Sequence, residues 1–204
     1  MKRIIIVLAT LCLSVTLYSY ATAEPAAPAD VINKFNTTLL ESMKKADELG
    51  YTGRYKLLEP VIKESFAFPF MAHECVGAYW KNLGEKEHRM FLDEYVQWTI
   101  ATYAGRFNGY SGERFEVSPE PKPAKDMMIV VSKMIQLKDD PIEFDYYLKK
   151  TDGLWRIVDI RVFGVSQLAN TRAQFRGVIK NKGFNALISM LKGKISRFSR
   201  GEEK

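Results

Sequence analysis

The chain has 204 residues, 30 Lys or Arg against 24 Asp or Glu, a formal net charge of +6, and only two histidines and two cysteines. That length suits one domain, and so few histidines and cysteines leave no basis for a disulfide framework or a Cys/His metal site. The charge is unevenly placed. Glu24 to Asp159 holds 18 basic and 22 acidic residues, whereas Ile160 to Gly201 holds nine basic residues and no acid, a block that suits an anionic partner.

The first residues read as an export signal. Lys2 and Arg3 precede a mostly apolar run, Ile4 to Leu17, and Ala21-Thr22-Ala23 is an A-x-A cleavage pattern. The run is shorter than the roughly 20 residues that span a bilayer; an uncleaved anchor is the alternative. Cleavage is expected after Ala23, so residues 1–23 are the signal and 24–204 the single domain. Cys12 leaves with the signal and Cys75 remains alone, which reads as a buried small hydrophobe. Export makes nucleic acid an unsuitable partner for the basic block. A phospholipid headgroup, a membrane surface or an acidic protein remains, beside a purely solvated helix face.

The domain divides into a helical part (30–108), a sheet (112–163) and basic helices (166–200). Asp30 is placed to cap the first helix, on which Val31, Phe35, Leu39, Met43 and Ala46 recur at helical spacing, with Gly50 as its stop. A second run from Thr52 carries Tyr55, Leu58, Val61 and Ile62, and Pro60 is expected to restrict or split it. Pro69 marks a third helix start within "FAFPFMAHECVGAYW". Gly84 to Asn108 forms a long amphipathic helix with Phe91, Tyr95, Trp98, Thr102 and Phe107 on one face.

Beyond Gly109 the period shortens. "GERFEV" is a short strand, "SPEPKPAK" a loop, Met127 to Gln136 a longer strand and "KDDP" a turn. Ile142, Phe144, Tyr146 and Leu148 alternate with wetter residues, as in a strand with one covered face. Thr151-Asp152-Gly153 is a hairpin turn into a returning strand, Leu154 to Phe163. There Val158, Ile160 and Val162 are expected on one face, and Asp159 with Trp155 and Ile157 on the other. Gly164 permits a turn and Ser166 caps a final helical region broken near Gly183. Leu168, Thr171, Phe175 and Val178 are expected to face inward. This order predicts an α+β fold, an antiparallel sheet of about four strands with amphipathic helices on one face.

No catalytic pattern appears: no C-x-x-C, H-E-x-x-H, G-x-S-x-G, P-loop or G-x-G-x-x-G. His73 and His88 fit no ligand spacing. Asp159 is the one acid in the final strand; a salt bridge to Arg161, solvation, or work as a general base are its three readings. No catalytic residue, metal or cofactor is assigned, and the chain is not expected to be an enzyme.

Several stretches together resemble a family. "RYKLLEPVIKESFAFPFMA", "GAYW", a long helix ending "TYAGRF", then "LWRIVDIRVFGVSQLANTRAQF" and a basic helix with Gly183 and "LISML" are similar to the toluene-tolerance family of periplasmic lipid-binding proteins, the MlaC type. "TYAGRFNGYSGERF" resembles the hopanoid-associated branch, HpnM; Thr171-Arg172 stands where many members have Tyr-Arg. The resemblance implies an apolar cavity, a lipid ligand (a phospholipid or a hopanoid-type lipid) and shuttling in the periplasm between membranes. It implies an inner-membrane transporter and an outer-membrane lipoprotein complex as partners, with transient membrane docking.

On this basis the lining is expected from Phe70 and Met71, from Tyr103 and Phe107 on the long helix, from Ile129, Val131, Phe144, Tyr146, Val158 and Ile160 on the strands, and from Phe175 and Leu191. Arg172, Arg176 and Lys180 recur at i, i+4, i+8 as an outward basic stripe for docking or a headgroup. The alternative is an envelope adaptor with a packed core that docks through its basic helices. An enzyme built around Asp159 is the third reading.

Overall fold

The computed structural model describes residues 26–202. The expected signal, residues 1–23, lies outside them.

The chain lays down α1 (Pro28–Lys44), α2 (Ala46–Ser65), α3 (Phe68–Val76), a 3-10 turn (Gly77–Asn82) and α4 (Glu85–Arg106). The strands β1 (Arg114–Val117), β2 (Lys122–Ala124), β3 (Met127–Ile135), β4 (Ile142–Thr151), β5 (Leu154–Val162) and β6 (Val165–Ser166) follow, then α5 (Gln167–Lys182) and α6 (Phe184–Ser199). The fold is α+β, as the alternation of periods predicted. The sheet is antiparallel, ordered β1-β3-β4-β5-β6, with β2 also paired to β3. It has six strands rather than about four, because two short edge pieces carry no periodicity of their own. β2 lies inside the expected Pro-rich loop, and Pro123 within it sits on an edge strand, where a missing N–H is tolerated.

The helix boundaries also differ from the expectation. Ala27 precedes the first turn of α1 and Pro28 opens it; Asp30 sits further in, and its carboxylate accepts the Ala27 N–H at 3.1 Å. α1 already ends at Lys44, and Gly50 is the non-helical residue (φ 56°) that separates a short helical turn, residues 46–49, from the longer run that follows it in α2, as expected from about Thr52; glycine adopts that backbone readily. Pro60 lies inside α2 without splitting it.

Strand register decides which side chains reach the core. On β4, Phe144, Tyr146 and Leu148 alternate onto the covered face. Their partners across β3 are Ser132, Val130 and Met128, and across β5 they are Val162, Ile160 and Ile157. Directly opposed residues share a face. Ile157 and Ile160 thus lie on one face although three residues apart, because a bulge opposite Tyr147 and Leu148 inserts an extra residue. The strict alternation expected through Val158 and Asp159 fails at that bulge. Ile129 and Val131 pair with Tyr147 and Asp145, which places them on the outer face.

The helices close over the covered face. The Ala67 N–H donates to the Ile157 carbonyl at 2.9 Å, and Phe66 forms a parallel bridge to Ile157, so the α2–α3 link is seated on the free edge of β5. Phe35 is fully buried and meets Phe66, Tyr103 and Tyr146 edge-on at 5.3–6.2 Å. A second aromatic group joins Phe91, Tyr95 and Trp98 to Phe175. Each such ring contributes about 3–5 kcal/mol relative to alanine. Two polar devices are buried with them. The Tyr146 hydroxyl donates to Asn36 Oδ1 at 3.2 Å and the Asn36 amide to Ser132 Oγ at 2.9 Å. The Arg54 guanidinium donates to the Ala46 and Ala104 carbonyls, both at 2.9 Å.

Candidate functional site

α4 supplies the longest wall of a cavity. Its helical period brings Tyr95, Trp98, Thr99, Thr102, Tyr103 and Arg106 to one side, followed by Phe107 at its end. The Thr99 and Thr102 hydroxyls donate to the Tyr95 and Trp98 carbonyls at 2.8 Å, so neither adds an unsatisfied donor to the wall. The sheet supplies Met134, Ile142, Phe144, Ile160 and Val162 from its covered face. Phe66 and Met71 line it beside the α2–α3 link, and Gln167, Leu168, Thr171, Lys194 and Phe198 come from α5 and α6. The cavity is open on one side and has a volume of about 410 Å³. Phe66, Met71 and Tyr95 are buried, whereas Arg106 and Gln167 are exposed, so the cavity opens near the C-terminal end of α4 and the start of α5.

The walls are mostly aromatic and aliphatic, with cations at Arg106 and Lys194 and one carboxylate, Asp159. That carboxylate accepts the Leu168 N–H at 3.0 Å, while Ser166 Oγ accepts the Ala169 N–H at 3.0 Å. Two of the open donors of α5 are satisfied in this way. The expected bridge to Arg161 is long, 3.9 Å, and Arg161 lies over the Tyr147 ring at 4.5 Å instead. Asp159 is therefore a helix-capping group in a cavity wall. Burial raises the Tyr103 and Tyr95 hydroxyls above their ordinary range and pushes the Cys75 thiol up to about 11. At neutral pH these groups stay protonated, and Cys75 is no thiolate nucleophile. Among the described residues no group of His, Cys, Asp and Glu is placed to hold a metal. The buried Trp98 indole N–H has no protein partner.

Five of the twelve lining residues expected from the sequence line this cavity: Met71, Tyr103, Phe107, Phe144 and Ile160. Tyr146, Phe175 and Leu191 are buried in packed core. Val158 is buried at the bulge. Phe70 lies outside the lining with the Lys149 ammonium over its ring at 5.5 Å, and Ile129 and Val131 belong to the outer face. Phe66, Trp98, Met134, Ile142 and Phe198 were not among the expected residues. Trp98 shares the helical face of Tyr95 and Phe107, a signal present in the sequence.

The three residues of the basic stripe differ in their surroundings. Arg172 pairs with the Glu74 carboxylate at 3.2 Å and Arg176 donates to the Glu74 carbonyl at 3.3 Å, so both hold α5 against α3. Only Lys180 of the three is a plain exposed cation. Elsewhere in the block, Lys192 pairs with Glu94 and Arg200 with Glu202. Part of the block that looks uniformly basic along the chain meets acids from other segments once folded, Arg172 with Glu74 and Lys192 with Glu94.

The family model described as MlaC protein matches residues 33–193. A curated relative, the intermembrane phospholipid transport system binding protein MlaC of Haemophilus influenzae, is 20% identical over 132 residues, which is 63% of this chain. The match spans about three-fifths (62%) of that relative's length. A phospholipid-binding protein from Ralstonia solanacearum, solved in complex with a phospholipid, superposes with a TM-score of 0.73 at 20% identity, covering 85% of this chain and 99% of that one. At that identity the likeness establishes the fold.

Proposed function

The chain belongs to the MlaC family, and from that membership and the geometry of its cavity we propose that it is a periplasmic carrier that holds a phospholipid and shuttles it between membranes. The observation that carries the reading is the cavity of about 410 Å³ under the sheet's covered face. A packed adaptor has no use for such a void, and an enzyme built around Asp159 would need that carboxylate uncommitted, whereas it accepts the Leu168 N–H.

The size speaks to the cargo. A buried cavity of about 150 Å³ holds benzene, roughly 25 Å³ per carbon, so 410 Å³ encloses about 16 carbons, the scale of one acyl chain. Each methylene moved out of water contributes about 0.8 kcal/mol, so an enclosed chain is held strongly and release calls for a competing acceptor. Arg106 and Lys194, both in the wall, suit an anionic headgroup at the opening. A hopanoid-type lipid is the alternative cargo; its fused rings cannot bend to follow the walls as an acyl chain does.

Family membership supports the finer reading as well: export through the segment ending at Ala23, an inner-membrane transporter and an outer-membrane lipoprotein complex as partners, and no chemical turnover. The cavity lining named above is the proposed lipid contact. A transfer assay tests the carrier reading. The purified protein should accelerate exchange of labelled phosphatidylglycerol between donor and acceptor vesicles in proportion to its concentration. Exchange no faster than without protein would favour the adaptor.

A further inference from the structure

Five large apolar side chains are exposed among the described residues: Tyr110, Leu137, Leu154, Phe163 and Val165. Four of them share one end of the molecule. β3 ends at Ile135, β4 starts at Ile142 and β5 ends at Val162, so the turn carrying Leu137 and the turn carrying Phe163 project from the same sheet end. Tyr110 precedes β1, whose first residue Arg114 pairs with Ile135. Only Leu154 lies at the opposite end. The shared end is the one onto which the cavity opens: Ile142, Val162 and Arg106 all line it.

The turn between β5 and β6 adds a second, independent observation. Phe163 (φ 49°) and Gly164 (φ 77°) are consecutive left-handed residues between the paired Val162 and Val165. A two-residue hairpin of this kind favours Asn-Gly, and a bulky residue at positive φ is an outlier. Here the first position holds a phenylalanine that is 69% exposed. Its side chain gains little from the fold, and its backbone pays for the conformation, so the reason for a phenylalanine lies outside the chain.

We propose that Phe163 and Val165, with Leu137 and Tyr110, form a rim that inserts into a phospholipid bilayer, seating the cavity mouth against the membrane. The occupant is a bilayer surface rather than a protein face. Leu137 and Phe163 stand on turns about two strand spacings, roughly 10 Å, apart, with the polar Lys138, Asp139 and Asp140 between them. Isolated tips of this kind do not make the roughly 800 Å² per partner of a stable protein interface, but apolar tips over an adjacent cationic opening suit interfacial lipid. Because Asp139 and Asp140 share the rim, insertion rather than charge dominates, and docking should depend only weakly on salt. The inference rests on the carrier reading only for what passes through the rim; docking itself does not require it.

Flotation of the full protein with vesicles of phosphatidylethanolamine and phosphatidylglycerol tests this. The triple variant Leu137→Ser, Phe163→Asn, Val165→Thr keeps the fold, since asparagine is at ease where φ is positive and threonine suits a strand. It should bind vesicles about tenfold or more weakly with unchanged lipid per protein, and Leu154→Ser at the far end should bind as the parent does. A parent that does not float, or a triple variant that floats as well as the parent, overturns the proposal, as does a variant that loses vesicle affinity and bound lipid together. A parent that fails to float but crosslinks through the rim to an envelope protein overturns it in favour of a protein partner. Absence of lipid in a parent that floats would count against the carrier reading and leave the rim standing.

Discussion

The Asp159 carboxylate and the Leu168 backbone N–H meet at 3.0 Å, joining the end of β5 to the first turn of α5 in the cavity wall. A carboxylate that is only 15% exposed would be costly without such a donor. Asp159→Ala should therefore lower stability by about 1–2 kcal/mol. Asp159→Asn, which keeps an acceptor oxygen, should lose less than half of that. Denaturant titration of the two variants checks the order. Equal losses, or none, would remove the capping role and reopen the reading of Asp159 as a reactive acid.

Space-filling substitutions separate wall from core. Val130 is fully buried on the covered face of β3, so Val130→Trp should destabilise by about 1–3 kcal/mol or more through overpacking. Val162 lines the cavity, so Val162→Trp should leave the melting transition nearly unchanged and lower the amount of co-purified lipid. Melting and lipid extraction on one sample decide this. Severe unfolding by Val162→Trp would mean that the void is filled by protein.

Gly105 tests the seam between α4 and α6. In a helix interior glycine to alanine ordinarily gains about 1 kcal/mol. Here an added Cβ would stand 2.3 Å from Phe198 Cδ1, and Phe198 is both buried and part of the cavity wall. The clash outweighs the propensity, so Gly105→Ala should destabilise by about 1–3 kcal/mol. A stabilised variant would show that α6 yields freely at Phe198.

Stability should fall at alkaline pH. Burial raises Cys75 from 9.0 to about 11 and Tyr51 from 10.0 to about 12, and raises Tyr95, Tyr103 and Tyr146 as well. Acids with raised folded values keep their protons in the folded state after the unfolded chain has lost them. The folded state then binds more protons, and stability declines with rising pH. The loss should begin near pH 9 and continue to about pH 12, with no decline from these groups below pH 8. Cys75→Ala should shift the onset upward. A melting temperature that stays flat from pH 8 to 11 would contradict the burial of these groups.

The helical wall was the most legible part of the site. Tyr95, Trp98, Thr102 and Phe107 follow the helix period, and that period alone places them together. The strand wall was less so, for local reasons. β3 reads Met-Met-Ile-Val-Val-Ser-Lys-Met-Ile, apolar until two adjacent polar residues that mark opposite phases. Ser132 points into the core, where the Asn36 amide donates to it, whereas Lys133 is exposed and marks the outer face that Ile129 and Val131 share. On β5 the bulge near Val158 resets the phase, and no single-strand pattern announces it. The pairing of Arg172 was not legible because Glu74, 98 residues before it, is invisible to a reading along one helix.

Native mass spectrometry of the full protein released gently from its own envelope decides whether the chain carries a lipid. A carrier should give a dominant species heavier than the processed chain by the mass of a lipid, which dissociates on activation and is identified in the same spectrum as a phospholipid. A single species at the bare polypeptide mass under conditions that preserve non-covalent lipid complexes would contradict the carrier reading.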